Sequence, residues 1–228
     1  MRLRASLVLP LPRGAGHLGR VAELQRSRVL GLGANLQRYM RLQRAARPSM
    51  QQLANTLDLN VVIGTREGAE VLLVEVARAP RCRLTVNSDI GSHLPLGTTA
   101  IGMGCLVAAQ VRERVRLLNE LKRLHPDDWA QVRERIEQAH AQRERQRFIV
   151  SLKSAGALIA AVAVPLIGER GRVFCFAAIG PAAALPRTRL LNHVGPALAD
   201  MVDRLACDLG GTRATAASPA RSGRQAAR

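Results

Sequence analysis

The sequence predicts an α+β domain built on an antiparallel sheet. Two pairs of short, β-branched apolar runs, at 60–78 and 158–179, are each joined across a Gly-containing turn. Helical repeats separate the pairs, and two of them are highly charged. With 228 residues, 47% of them hydrophobic, the chain can bury one substantial core. Antiparallel hairpins alternating with helix pairs put the helices on the faces of such a sheet.

Residues 1–26 show no period and read as a basic, unstructured leader; Ala5–Pro12 is too short and Pro-broken for an export signal. From Ser27 to Arg47, Val29, Leu32, Leu36 and Tyr39 recur at helical spacing beside a basic stripe of Arg38, Arg41 and Arg44. Pro48 is expected to break that helix before a second one, Pro48–Leu57. Strands are expected at Asn60–Arg66, Val71–Arg78 and Arg81–Val86, then an apolar helix at Thr99–Ala109. Charged helices come next at Val111–Arg123 and Pro126–Arg145, the latter started by Pro126, Asp127 and Asp128. Strands at Phe148–Leu152, Leu158–Leu166 and Arg172–Ile179 lead to a closing amphipathic helix, Arg187–Leu209, with a kink expected at Gly195-Pro196. Residues 210–228 read as a disordered basic tail.

The net charge is +17, yet it is concentrated at the ends. Residues 1–47 hold ten Arg against Glu23 alone, and 212–228 hold four Arg and no acid. The middle balances 20 basic against 16 acidic groups. Only Lys122 and Lys153 are lysines, a bias that genome composition can produce alone. Aromatics at 2% exclude a base-stacking surface for single-stranded nucleic acid. The run Ala155–Gly168 is about half a membrane span and contains Pro165, so it reads as a buried strand.

Chemistry is sparse. Four cysteines (Cys82, Cys105, Cys175, Cys207) lack metal or disulfide-framework spacing, which fits a reducing cytoplasm. The five histidines fall in no ligand pattern; His125 reads as a helix-start residue, His140 and His193 as solvated ones. Cys175 sits among apolar neighbours and reads as an inert core thiol. No catalytic residue, metal site or cofactor is expected. The stretch Gly91–Ala109 feeds a Gly-containing loop into an apolar helix. Its start offers backbone N–H groups and a positive dipole end suited to an anion, or it is a capped core helix.

Four segments in order carry a resemblance: SRVLGLGANLQRYMRLQRAARPSMQQLA (27–54), NVVIGTREGAEVLLVEVARAP (60–80), GSHLPLGTTAIGMGCLVA (91–108), and IAAVAVPLIGERGRVFCFAAIGP (159–181) with LLNHVGPALADMVDRL (190–205). Together they resemble the IclR family of bacterial transcription regulators. The resemblance implies a linker helix at 27–47 and an effector-binding domain at 48–209 on a curved sheet of GAF or profilin-like type. It also implies small carboxylic acid effectors, and a dimer or tetramer that couples effector binding to DNA-reading heads. Residues 1–26 cannot hold the family's winged helix-turn-helix, which needs about 60 residues. The expectation is a regulator lacking its own head, reaching DNA only through a missing head or a related subunit. The alternative is a stand-alone small-molecule binding or interaction module.

Three further departures bear on the pocket. Gly97 stands where the family has His, Ala177-Ala178-Ile179 precede Gly180-Pro181, and Ala160 follows Ile159 where relatives are often polar. A ligand is therefore expected between the helix start, Gly97, Thr98, Thr99 and Ala100, and an apolar wall of Leu158, Ala160, Ala161, Cys175, Phe176 and Ala178. Whether Cys175 or Phe176 faces inward depends on register. Such a site suits a carboxylate with an apolar body or a largely apolar effector.

Overall fold

A computed structural model describes residues 39–82, 89–154, 158–168, 171–208 and 212–213. The chain divides into two units, Met1–Arg41 and Leu42–Arg228, and nearly all the described residues belong to the second. The stripe at 29–36, the strand residues 83–86 and most of the tail lie outside the described residues.

The chain is helical over 39–57 (α1), so the break expected at Pro48 does not occur. Leu42, Ala46, Met50 and Ala54, spaced four apart, are all buried, while Arg44 and Pro48 lie on the exposed side. The carbonyl that loses its donor is thus on the wet face. Burying the opposite stripe outweighs the roughly 3 kcal/mol cost of an internal proline. Asp58, at φ 56, ends the helix in the left-handed conformation.

The strands are β1 (Asn60–Glu67), β2 (Glu70–Ala77), β3 (His93–Pro95), β4 (Ile149–Ser154), β5 (Ile159–Ile167), β6 (Val173–Pro181) and β7 (Thr212–Arg213). They form one antiparallel sheet in the order β3-β2-β1-β6-β5-β4, with β7 pairing β5. The β1–β2 turn holds Gly68 at φ 60, which matches the twist of a tight hairpin. Pro165, which lacks an N–H, falls between the β4 ladder ending at Ala163 and the β7 ladder beginning at Leu166. The third strand after the first hairpin is β3; Arg81 and Cys82 are not in a strand. Thr212–Arg213 pair with β5 inside the segment expected to be a disordered tail.

Helices α2 (Ala100–Ala108), α3 (Val111–Leu124) and α4 (Trp129–Gln146) come after β3. All nine residues of α2 are buried. Its seat depends on glycines: a Cβ at Gly102 would lie 2.3 Å from the Leu96 carbonyl oxygen, and one at Gly104 would lie 2.3 Å from Cys175 Sγ. α2 packs on β5, β6 and α4. α4 starts at Trp129, later than expected, because Pro126–Asp128 form a turn. His125 closes α3 through its N–H to the Leu121 carbonyl, rather than starting a helix.

The closing helix comprises α5 (Arg187–Arg189), a wide π-turn over Leu190–Val194 and α6 (Gly195–Asp208). The Gly195 N–H reaches the Leu190 carbonyl, five residues back. The expected kink at Gly195-Pro196 is therefore taken up by a π-turn just before a proline that cannot donate. α6 covers the opposite face of β5 and β6 from α2.

A glycine-to-alanine change inside a helix ordinarily stabilises it by about 1 kcal/mol. Gly102→Ala should do the reverse, lowering stability by about 1–3 kcal/mol, because the new methyl meets backbone. Urea denaturation midpoints would show the sign.

Candidate functional site

A cavity of about 660 Å³ lies over the edge strand β4, between α4, the start of α2 and the closing helix. α4 contributes Arg135, Gln138, Ala139, Gln142, Arg145 and Gln146, which recur at three- and four-residue spacing and so share a face. Thr98, Thr99 and Met103 come from the α2 region, Ile149 to Leu152 from β4, and Arg187 and Leu191 from the closing helix.

The edge of β4 is covered by glutamines. Gln142 Oε1 accepts from the Val150 N–H at 2.6 Å and its Nε2 donates to the Val150 carbonyl at 3.4 Å. Gln146 Nε2 donates to the Phe148 carbonyl at 3.3 Å. Four helical residues rise about 6 Å and two strand residues about 6.6–6.8 Å, so glutamines four apart match main-chain groups two apart. This arrangement fixes α4 to β4 and blunts the edge against pairing with another chain.

Thr99 is the N-cap of α2: its Oγ1 accepts from the Gly102 N–H at 3.1 Å and donates to the Pro95 carbonyl at 2.7 Å. At the other end of α2, Arg143 Nη1 donates to the Val107 carbonyl at 2.6 Å and Arg114 Nη1 at 3.4 Å. Cations here complement the negative end of a helix that is buried throughout. Beside them His140 is half-buried, not solvated as expected. Burial, then the charges of Arg114 and Arg143, hold its imidazole below the ordinary histidine range.

The cavity surface has a marked charge. Arg135, Arg145 and Arg187 line it and no acidic residue does; none of the three guanidinium groups makes a hydrogen bond or ion pair among the described residues. No cluster of metal-ligating side chains occurs among the described residues.

Of the residues the sequence singled out, Thr98 and Thr99 line this cavity. Gly97 faces elsewhere: a Cβ there would lie 3.0 Å from Val132 Cγ1 and 3.4 Å from Leu121 Cδ2. Ala100 is buried within α2. The expected apolar wall is divided by the pleat. Ala161 and Cys175 belong to the core on the α2 side, whereas Ala160, Phe176 and Ala178 alternate onto the other face and are buried there. Leu158 is 66% exposed in the turn before β5. Cys175 is a core thiol, pushed up by burial and then by the neighbouring Cys105. The helix α4 was expected from the sequence, but its cavity-lining face was not. The stripe Gln138, Gln142, Gln146, flanked by Arg135 and Arg145, was visible as spacing but reads as ordinary helix surface until β4 is set beside it.

The family model described as "Bacterial transcriptional regulator IclR C-terminal" matches residues 34–208. The HTH-type transcriptional regulator TsaQ1/TsaQ2 of Comamonas testosteroni is 38% identical over 189 residues, covering 82% of this chain and 68% of that protein. The crystal structure of an IclR family transcriptional regulator from Brucella abortus aligns with a TM-score of 0.72 and 28% identity, covering 79% of this chain and 68% of that one. The inducer-binding domain of the Acinetobacter PobR transcription factor, a double mutant in complex with 3-hydroxybenzoic acid, shares the fold at a TM-score of 0.58 and 20% identity. That alignment covers 71% of this chain and 95% of the other.

These contacts lead to two expected outcomes. Gln142→Leu should lose about 1–2 kcal/mol of stability, since two main-chain groups lose their partner, and should increase self-association; denaturation midpoints and sedimentation would record both. The second concerns pH. His140 has a lowered folded pKa, so the unfolded chain takes up a proton first and stability falls as pH drops below the unfolded value of about 6.5. His140→Gln should flatten that fall, read as the difference in urea midpoint between about pH 5 and about pH 7.5.

Proposed function

This chain belongs to the IclR family of bacterial transcription regulators and carries the family's C-terminal effector-binding domain, and from that premise we propose that the cavity over β4 is its effector site and that the effector is a small organic anion. The observation that carries this is the set of three arginines, unpartnered among the described residues, around one cavity without an acid. Guanidinium groups hold carboxylates through short, often bidentate hydrogen bonds. Met103, Ile149, Leu152 and Leu191 would contact an apolar body. The 3-hydroxybenzoic acid held by the PobR domain is a ligand of this chemistry and supports the reading.

The anion class expected from the sequence is kept, while the wall around it changes: α4 and β4 in place of Ala160, Ala161, Cys175, Phe176 and Ala178. On this reading Gly97 and Ala100 position the α2 start without touching the ligand, and Leu158 stands outside the site. The domain acts as a binding module rather than an enzyme, within a homo-oligomer in the cytoplasm. DNA is engaged through a reading head, not through the described domain. Val111 and Val115, 65% and 52% exposed on α3, support a contact with a second copy.

Isothermal titration of the full chain tests the site. 3-Hydroxybenzoic acid should bind at least about tenfold more tightly than 3-hydroxybenzamide, and Arg187→Gln should weaken the acid and not the amide. Equal affinity for acid and amide would contradict the reading.

A further inference from the structure

We propose that the ligand of this cavity carries two anionic groups at the ends of an apolar spacer. The proposal rests on the effector-site reading and narrows it. α4 carries Arg133, Arg135, Arg143 and Arg145, and Arg147 caps it. Arg133 is paired with Glu137 at 2.8 Å, Arg143 with the Val107 carbonyl at 2.6 Å, and Arg147 with Asp200 and Asp203 at 3.3 and 3.2 Å. The two that have no partner among the described residues, Arg135 and Arg145, are the two that line the cavity.

Arg135 and Arg145 stand ten residues apart, about 15 Å along an α-helix. To converge on one small anion, both arms would have to lie flat along α4 over Gln138 and Gln142. Those side chains already hold Glu134 and Val150, and two guanidinium groups brought together would repel. Between the two cationic poles the lining includes Ala139, Met103, Ile149 and Leu152. A ligand that neutralises both poles without crowding them has an anion at each end and an apolar middle. An α,ω-dicarboxylate meets this description, and a benzoate-sized monoanion satisfies only one pole.

The test compares nonanedioate with nonanoate by isothermal titration of the full chain, then repeats it with Arg135→Gln and Arg145→Gln. Both side chains are exposed and lack partners among the described residues, so melting temperatures should stay unchanged in the variants. Nonanedioate should bind at least about tenfold more tightly than nonanoate, and each variant should remove about that factor. Equal affinity for the two acids overturns the two-anion proposal and leaves a one-carboxylate site standing. Tight nonanedioate binding that neither variant weakens overturns it as well. Absence of binding by either acid overturns this proposal, while the effector-site reading stands or falls on the 3-hydroxybenzoic acid titration.

Discussion

The complete burial of α2 is the constraint on which the site depends. A nine-residue helix with every residue buried cannot leave its end groups to water, so each end must be satisfied by protein. Thr99 serves the start and Arg114 and Arg143 serve the end. The second of these demands brings α4 across α2, and α4 in turn brings its glutamines to β4. Gly102 and Gly104 make the burial possible by letting α2 approach Leu96 and Cys175 without a side chain between. The position of the cavity is thus a consequence of how one apolar helix is capped.

The edge of the sheet adds the second condition. β4 ends the strand order, and an uncovered edge invites pairing with other chains. Covering it with Gln142 and Gln146 commits their amide groups to main chain, while Arg135 and Arg145 on the same face of α4 have no partner among the described residues. Arg147 is directed away, to Asp200 and Asp203 on α6, and ties the end of α4 to the other face of the sheet. The charge left around the cavity is a by-product of this division of work along one helix.

Much of this was legible in the sequence. Both hairpins, the apolar helix, the charged pair and the closing helix stand within a few residues of where periodicity placed them. The helix start at Thr98-Thr99 was also found, because a loop entering an apolar helix is a local signal. The lining of the cavity was not, for two physical reasons. Strand alternation sends Ala160 and Ala161 to opposite faces, and segment-level reading does not resolve which face meets a ligand. The α4 stripe acquires meaning only beside β4, a neighbour in space whose register on the helix no local pattern encodes. Pro48 misled in the opposite direction: its local cost is real, and the buried stripe Leu42–Ala54 outweighs it.

The proposed seat of the ligand, on β4 and α4 and not on β5 and β6, is open to one direct measurement. Amide hydrogen exchange of the full chain, with and without saturating 3-hydroxybenzoic acid, should show new protection over 138–152, spanning the cavity face of α4 and the edge strand, with 159–163 and 174–179 unchanged. Protection confined to 159–163 and 174–179, with 138–152 unaltered, would contradict the account and return the site to the wall that the sequence first indicated.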